Sequence, residues 1–444
     1  MIKHNPIKIL NVNASDISGG AARAAYRIHR SLVEYGIEHG LKSEMRVINK
    51  FSEDFSVIGG PPVGQSWIWQ RLQPRLSRYS KKGFFTTNKS LHSTAWPSTG
   101  LGSELKNKWN KSEFDLLHLN WLGDCTISIE EIGKLEMPIV WTLLDQWLFC
   151  GAEHYVSPPI DGQSETNDKR FQLAYDSLTR FSNERGPDIN RNTWLRKFRS
   201  WQRPIHIVSP SNWLADCARK SSLTRDWPIT VIPFPLDLEI WSPVDSMQAR
   251  DLFGLPKDKK IVLFGAIKGT IDSRKGADLL YAAIHYLSQD ISDKSLENIH
   301  LVVFGQDQPL DPPKVDFPIS FMGHLSDDIS LRILYAASDV MVVPSRQEGF
   351  GQTASEAQAC GTPVVAFRSG GLIDVVDHMV TGALANPFDS KSLAKEIKWV
   401  LEDSERLTKL GLSARKRAQK LWDPRKIAML YSDLFKEIIS KSLT

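Results

Sequence analysis

The chain has 444 residues, of which 41% are hydrophobic and 24% charged, and its formal net charge is +4. That length exceeds one ordinary core and predicts two domains, and the composition is that of a folded soluble protein. The charge is too small to point to nucleic acid, no stretch reaches the roughly 18 to 20 apolar residues of a membrane span, and "MIKHNPIKILNVNASDISGG" leads into a polar loop where a signal peptide would have an apolar core, so a cytoplasmic location is expected.

Short β-branched runs alternate with helical patterns along the whole chain, the signature of parallel sheets covered by helices. In the first half the predicted strands are "IKILNVN", "SEMRVIN", "FDLLHLNW", "PIVWTLLD", "PIHIVSPS" and "ITVIPFP". The second half repeats the style with "KKIVLFGA", "IHLVVFG", "PISFMGH", "DVMVVPS" and "TPVVAF". Two doubly wound α/β domains are therefore expected. The linker belongs in "IPFPLDLEIWSP", Ile232 to Pro243, which carries three prolines and no helical period. The domain limits drawn from this are 1–235, a linker at 236–243, 244–420, and a last helix at 421–444 that packs back on the N-terminal domain. Asp423 caps that helix and Pro424 opens it. Cys125, Cys150, Cys217 and Cys360 show no metal-ligand spacing and read as buried reduced thiols. "WIWQRLQPRLSRYSKK", Trp67 to Lys82, holds five basic residues and no acid among its aromatics; it is either a solvated loop or an anchor on an anionic membrane surface.

Ligands of open parallel sheets sit at the carboxyl ends of strands. After the first strand come Gly19 and Gly20 and then an alanine-rich helix, where backbone N–H groups can approach an anion. The Gly-x-Gly-x-x-Gly dinucleotide fingerprint is absent. After the first strand of the second half, Arg274 and Lys275 precede Gly276 and a helix, a place suited to phosphate. Glu348 follows "DVMVVPS", Gly349, Phe350 and Gly351 make a turn, and Glu356 lies about one turn inside the helix that Gln352 begins. N–H groups of Phe350, Gly351 and Gln352 at a positive helix end, flanked by two acids, suit a ligand with an anionic middle and hydroxyls at both ends, as in a nucleotide-sugar. His118, at a strand end in "LLHLNW", is a candidate for lining an acceptor cleft, or a structural histidine.

"PSRQEGFGQTASEAQACGTPVVAF" followed by "SGGLIDVV" resembles the donor-site signature of the retaining glycosyltransferases of family 4, which have the GT-B fold of two facing Rossmann-like domains with a cleft between them. The Gly-Gly loop, Lys275-Gly276, "LYAASDVMVVPS" and "TGALANP" extend the resemblance over most of the chain. It implies that Glu348 holds hydroxyls of the donor sugar, that Glu356 holds the ribose diol, and that Lys275, Gly19 and Gly20 meet the diphosphate, with Met322 to Asp328 bordering the base. "WTLLDQWLFCGAEHY" resembles a stretch of capsule and exopolysaccharide transferases that usually has His where Leu144 stands; Asp145 and His154-Tyr155 remain. The family's arginine after the glycine of the first C-domain strand is also missing, since Ala266 follows Gly265 and only Lys268 stands nearby.

Asp-x-Asp occurs nowhere, so no metal requirement and no cofactor are expected, the nucleotide-sugar being a substrate. Leaving-group charge then falls to Lys275 and the N–H groups near Gly351 and Gly19-Gly20. Glu348, Lys275, Asp145 and His118 are the candidate catalytic residues. The resemblance implies retention of configuration and a role in cell-surface polysaccharide synthesis; the expected acceptor is a saccharide or, if the basic segment Trp67 to Lys82 touches the inner face of the membrane, a lipid-linked oligosaccharide. The competing readings are a GT-B epimerase or phosphorylase, and a catalytically inactive member that acts as a binding partner.

Overall fold

The computed structural model describes residues 6–443 apart from 63–65, 67, 70, 74, 77–92, 97, 108–112, 124, 158–167, 183, 266–271 and 290–297. Much of the basic segment Trp67 to Lys82, and Ala266 and Lys268, lie outside the described residues. The chain divides into two compact units, one holding described residues 6–157, 168–235 and 424–443, the other 236–423.

The first unit is built on a seven-stranded sheet of order β3-β2-β1-β4-β5-β6-β7. Its strands are β1 (Ile7–Ser15), β2 (Leu41–Asn49), β3 (Val57–Ile58), β4 (Leu116–Leu119), β5 (Ile139–Thr142), β6 (His206–Ser209) and β7 (Ile229–Val231). The second unit has six strands, β8 (Lys260–Gly265), β9 (Ile299–Phe304), β10 (Ile319–Phe321), β11 (Val340–Val343), β12 (Val364–Phe367) and β13 (Gly382–Ala385), in the order β10-β9-β8-β11-β12-β13. Every strand pair in both sheets is parallel. Continuous apolar runs such as Ile261–Phe264 and Val340–Val343 are buried, as strands covered on both faces require. The sequence patterns missed β3 and β13, because β3 has two residues and Gly-Ala-Leu-Ala has no β-branched residue.

In each sheet the strand order reverses once, between β1 and β4 and between β8 and β11. Helices leaving neighbouring strands there cover opposite faces, so a crevice opens at the carboxyl ends of those strands. Lys275 and Glu348 lie at the second of these points, and Gly19 and Trp121 at the first.

A chain of buried polar groups crosses the first unit. His29 of the Gly20–Tyr35 helix lies 2.9 Å from both Ser43 and Ser56 hydroxyls, and Asn11 Nδ2 donates to Ser43 Oγ at 2.7 Å. Asn11 Oδ1 meets His118 Nδ1 at 2.7 Å, His118 Nε2 meets Thr142 Oγ1 at 2.7 Å, and Thr142 meets Tyr431 Oη at 3.0 Å. Tyr431 lies in the final helix, Pro424–Leu443, which thus belongs to the first unit. Among the described residues, no helix is long and apolar enough to cross a membrane. Cys125, Cys150 and Cys360 are buried free thiols, whereas Cys217 is half-buried.

Candidate functional site

In the second unit, Lys275 ends a short 3-10 turn, Ser273–Lys275, and Gly276 follows with φ +68°. A Cβ at Gly276 would sit 1.9 Å from the Pro344 carbonyl oxygen, so glycine here permits both the left-handed turn and the close approach to the end of β11. Arg346 fastens the same two segments: its N–H donates to Arg274 O at 2.7 Å, and its guanidinium grips both Asp278 carboxylate oxygens at 2.9 and 2.8 Å. Held this way, Lys275 Nζ donates to Glu348 Oε1 at 2.5 Å, and the Ser345 hydroxyl donates to the same oxygen at 3.0 Å. Both side chains of the pair remain partly exposed.

Gly351, at φ +99°, precedes the Gln352–Ala359 helix and gives it no side-chain cap. Helix-end charge at that point is positive, which favours a ligand anion. The loop is braced from behind, since Gly371 N–H donates to Glu348 O at 2.8 Å and the Phe350 ring packs edge-on against Trp422. Phe350 is therefore a packing side chain, and only its backbone can face a ligand. Glu356 is 5% exposed, and the Tyr335 hydroxyl donates to its Oε2 at 2.9 Å. Arg274 turns back on Asp272 at 2.6 Å, so its charge is already neutralised locally. Met322 N–H donates to Val303 O, which keeps the segment that follows at the sheet's β10 edge.

In the first unit, Gly19 takes φ +91° and precedes the Gly20–Tyr35 helix, again without a side-chain cap. Among the described residues, nothing beyond its own chain neighbours lies within 4 Å of where a Gly19 Cβ would be. After β4, the Trp121 N–H donates to Asn13 Oδ1 at 2.6 Å, tying the carboxyl ends of β1 and β4 together. After β5, Asp145 accepts from Trp121 Nε1–H at 2.8 Å, from Trp147 N–H at 2.9 Å, and from His154 Nδ1 at 2.6 Å. Burial alone would push the Asp145 carboxyl up; His154 beside it and the Trp147 and Trp121 donors outweigh that and hold it below its ordinary value.

His118 does not occupy an open site. It is 0% exposed, with both ring nitrogens bonded and its ring packed against Tyr431 and Phe435 at 5.2 and 5.5 Å. The expectation that it lines an acceptor cleft is corrected, since a group that meets substrate needs a free nitrogen. Sequence reasoning missed Arg346, Tyr335, Ser345 and Trp121, which act through contacts between distant strand ends and so leave no local pattern.

Residues 247–417 match the family of glycosyl transferases group 1. Among solved structures, sucrose-phosphate synthase from Thermosynechococcus elongatus superposes with a TM-score of 0.64 at 19% identity, covering 98% of this chain and 100% of that one. HepE of Anabaena in complex with UDP-glucose superposes with a TM-score of 0.60 at 17% identity, over 97% and 100%. The fold is GT-B. A curated D-inositol 3-phosphate glycosyltransferase of Xylanimonas cellulosilytica is 32% identical over 222 residues, 46% of this chain and 50% of the relative. The chain thus spans about half the length of the curated relatives it matches. Within the GT-B frame, the Lys275–Glu348 pair and the Gly351 helix end fall inside the matched region, and Gly19 and Asp145 fall outside it.

Proposed function

We propose that the chain is a glycosyltransferase that moves a sugar from a nucleotide-sugar donor to a saccharide hydroxyl. The observation that carries this reading is the Lys275–Glu348 pair at the β8/β11 reversal, beside a glycine-led helix end. An ammonium and a positive helix end suit the diphosphate, and the carboxylates of Glu348 and Glu356 suit the sugar and ribose hydroxyls. As the bond between the anomeric carbon and the β-phosphate breaks, negative charge grows on the phosphate, where Lys275 can offset it. Resemblance to family 4 supports retention of configuration, a mechanism without a metal, and a role in cell-surface polysaccharide synthesis. The basic residues of Trp67 to Lys82 support attachment to an anionic membrane surface, with a lipid-linked saccharide as acceptor.

Calorimetric titration with UDP, GDP and ADP, and with their sugars, tests the reading. One nucleotide is expected to bind, and Glu356→Ala is expected to weaken it by about 1.5 to 3 kcal/mol, the range for hydrogen bonds to a charged group. Failure of all of them to bind, or equal affinity in a folded Glu356→Ala, would overturn it.

A further inference from the structure

We propose that Asp145 and His154 form an acceptor-hydroxyl subsite in the first unit, in which His154 Nε2 accepts a hydrogen bond from a sugar hydroxyl. The substrate class rests on the glycosyl-transfer reading above; the place rests on the geometry of this unit alone. A pocket at the carboxyl ends of β4 and β5 is lined by Asn120, Trp121, Leu144, Asp145, Trp147 and His154, among others. His154 is 4% exposed, and its Nδ1 lies 2.6 Å from Asp145 Oδ2. Asp145 is itself pinned by the indole N–H of Trp121 and the backbone N–H of Trp147, so it fixes the imidazole from one side. With the proton on Nδ1, the neutral ring presents Nε2 as a bare acceptor.

Nε2 makes no hydrogen bond to any described residue. The rings of Trp121 and Trp147 flank the imidazole, with centroids at 5.6 and 6.4 Å. Asn120 Oδ1, in the same pocket, is a buried acceptor without a partner. A buried acceptor left unpaired is costly, and one beside the His154 ring points to a donor that arrives with a ligand. The room beside them is that of about one water-sized group. A single hydroxyl fits there, while the rest of a sugar ring would remain outside, against the half-buried Trp121.

Nitrogen NMR of the full-length chain with labelled histidine, at about pH 7.5, reads the tautomer directly. Nδ1 should carry the proton and Nε2 should be bare, and Asp145→Asn should remove that preference. Titration with methyl glucoside, methyl mannoside and methyl galactoside should then move the His154 Nε2 resonance. With a nucleotide-sugar that binds, His154→Phe should raise the acceptor KM about tenfold or more while leaving nucleotide affinity unchanged, and His154→Gln, whose amide oxygen still accepts, should recover part of it. A protonated Nε2, an Nε2 resonance that no glycoside moves, or an unchanged acceptor KM in folded His154→Phe would each overturn the subsite. Failure of the transfer reading shows separately, as a wild-type protein that binds no nucleotide-sugar.

Discussion

Lys275 and Glu348 form a direct ion pair, and a diphosphate arriving beside them would draw the ammonium away from the carboxylate. The cation would then meet some charge in the ground state and more as the phosphate departs, so its removal should affect turnover beyond affinity. Lys275→Ala is expected to cut kcat by about 10²- to 10³-fold while nucleotide affinity falls much less, and Lys275→Arg to recover only part, because a planar fork replaces a compact ammonium. Steady-state kinetics beside a titration checks this, and near wild-type turnover in Lys275→Ala would count against the mechanism. His118 and His29 behave differently. Burial pushes His118 down to about 3, with His29 adding to the effect, and burial pushes His29 down to about 4. Both stay neutral in the folded protein where the unfolded chain would take up a proton, so each stabilises fully above about pH 6.5 and loses that contribution, by about 1.4 kcal/mol per pH unit, as pH falls toward the folded value. Glu153, pushed by burial up to about 7, acts in the opposite sense over part of the same window, since its folded form takes up a proton first. Proton NMR should show neither ring titrating between about pH 8 and 5; an inflection near 6.5 at either would contradict the buried network.

At the scale of elements, the donor-side geometry depends on two turns meeting between different strands. Gly276 touches the Pro344 carbonyl, and Arg346 spans from β11's end to Asp278 at the start of the Ala277–Ser288 helix. Gly276→Ala places a Cβ 1.9 Å from that carbonyl oxygen at φ +68° and must push the turns apart. The left-handed strain alone is worth about 1 to 3 kcal/mol, and the displacement should also break the Lys275–Glu348 pair. Thermal unfolding should show the second unit melting earlier, with nucleotide affinity lost even below the transition. An unchanged melting temperature would mean that the turn yields without cost. The glycine itself was legible in the sequence as a strand-to-helix turn. Its partner at Pro344 was not, because it lies just past a different strand, β11.

At the scale of the whole molecule, the first unit is discontinuous and the second is mainly one run from Leu236 to Asp423. Tyr431 and Phe435, both 0% exposed, cover His118 and close the polar chain through Thr142. Removing residues 424–444 should therefore unfold the first unit while the second keeps its exchange-protected core; hydrogen exchange resolved by segment would show it, and equal protection in both units would refute it. The sequence alone sufficed for what local chemistry decides. Alternation of β-branched runs with helical patterns marked the parallel sheets, glycines marked Gly19, Gly276 and Gly351 as turns, and the positions of Lys275, Glu348 and Glu356 after strands followed from those turns. Strand order, by contrast, is a choice among distant pairings, and only the folded chain placed β1 beside β4 and β8 beside β11. The fate of each polar side chain was decided there too. His118 and His154 look alike in sequence, yet one is bonded at both nitrogens inside the sheet and the other is held at one nitrogen by Asp145, because burial and hydrogen bonding depend on which residues the fold brings within about 3 Å of each other.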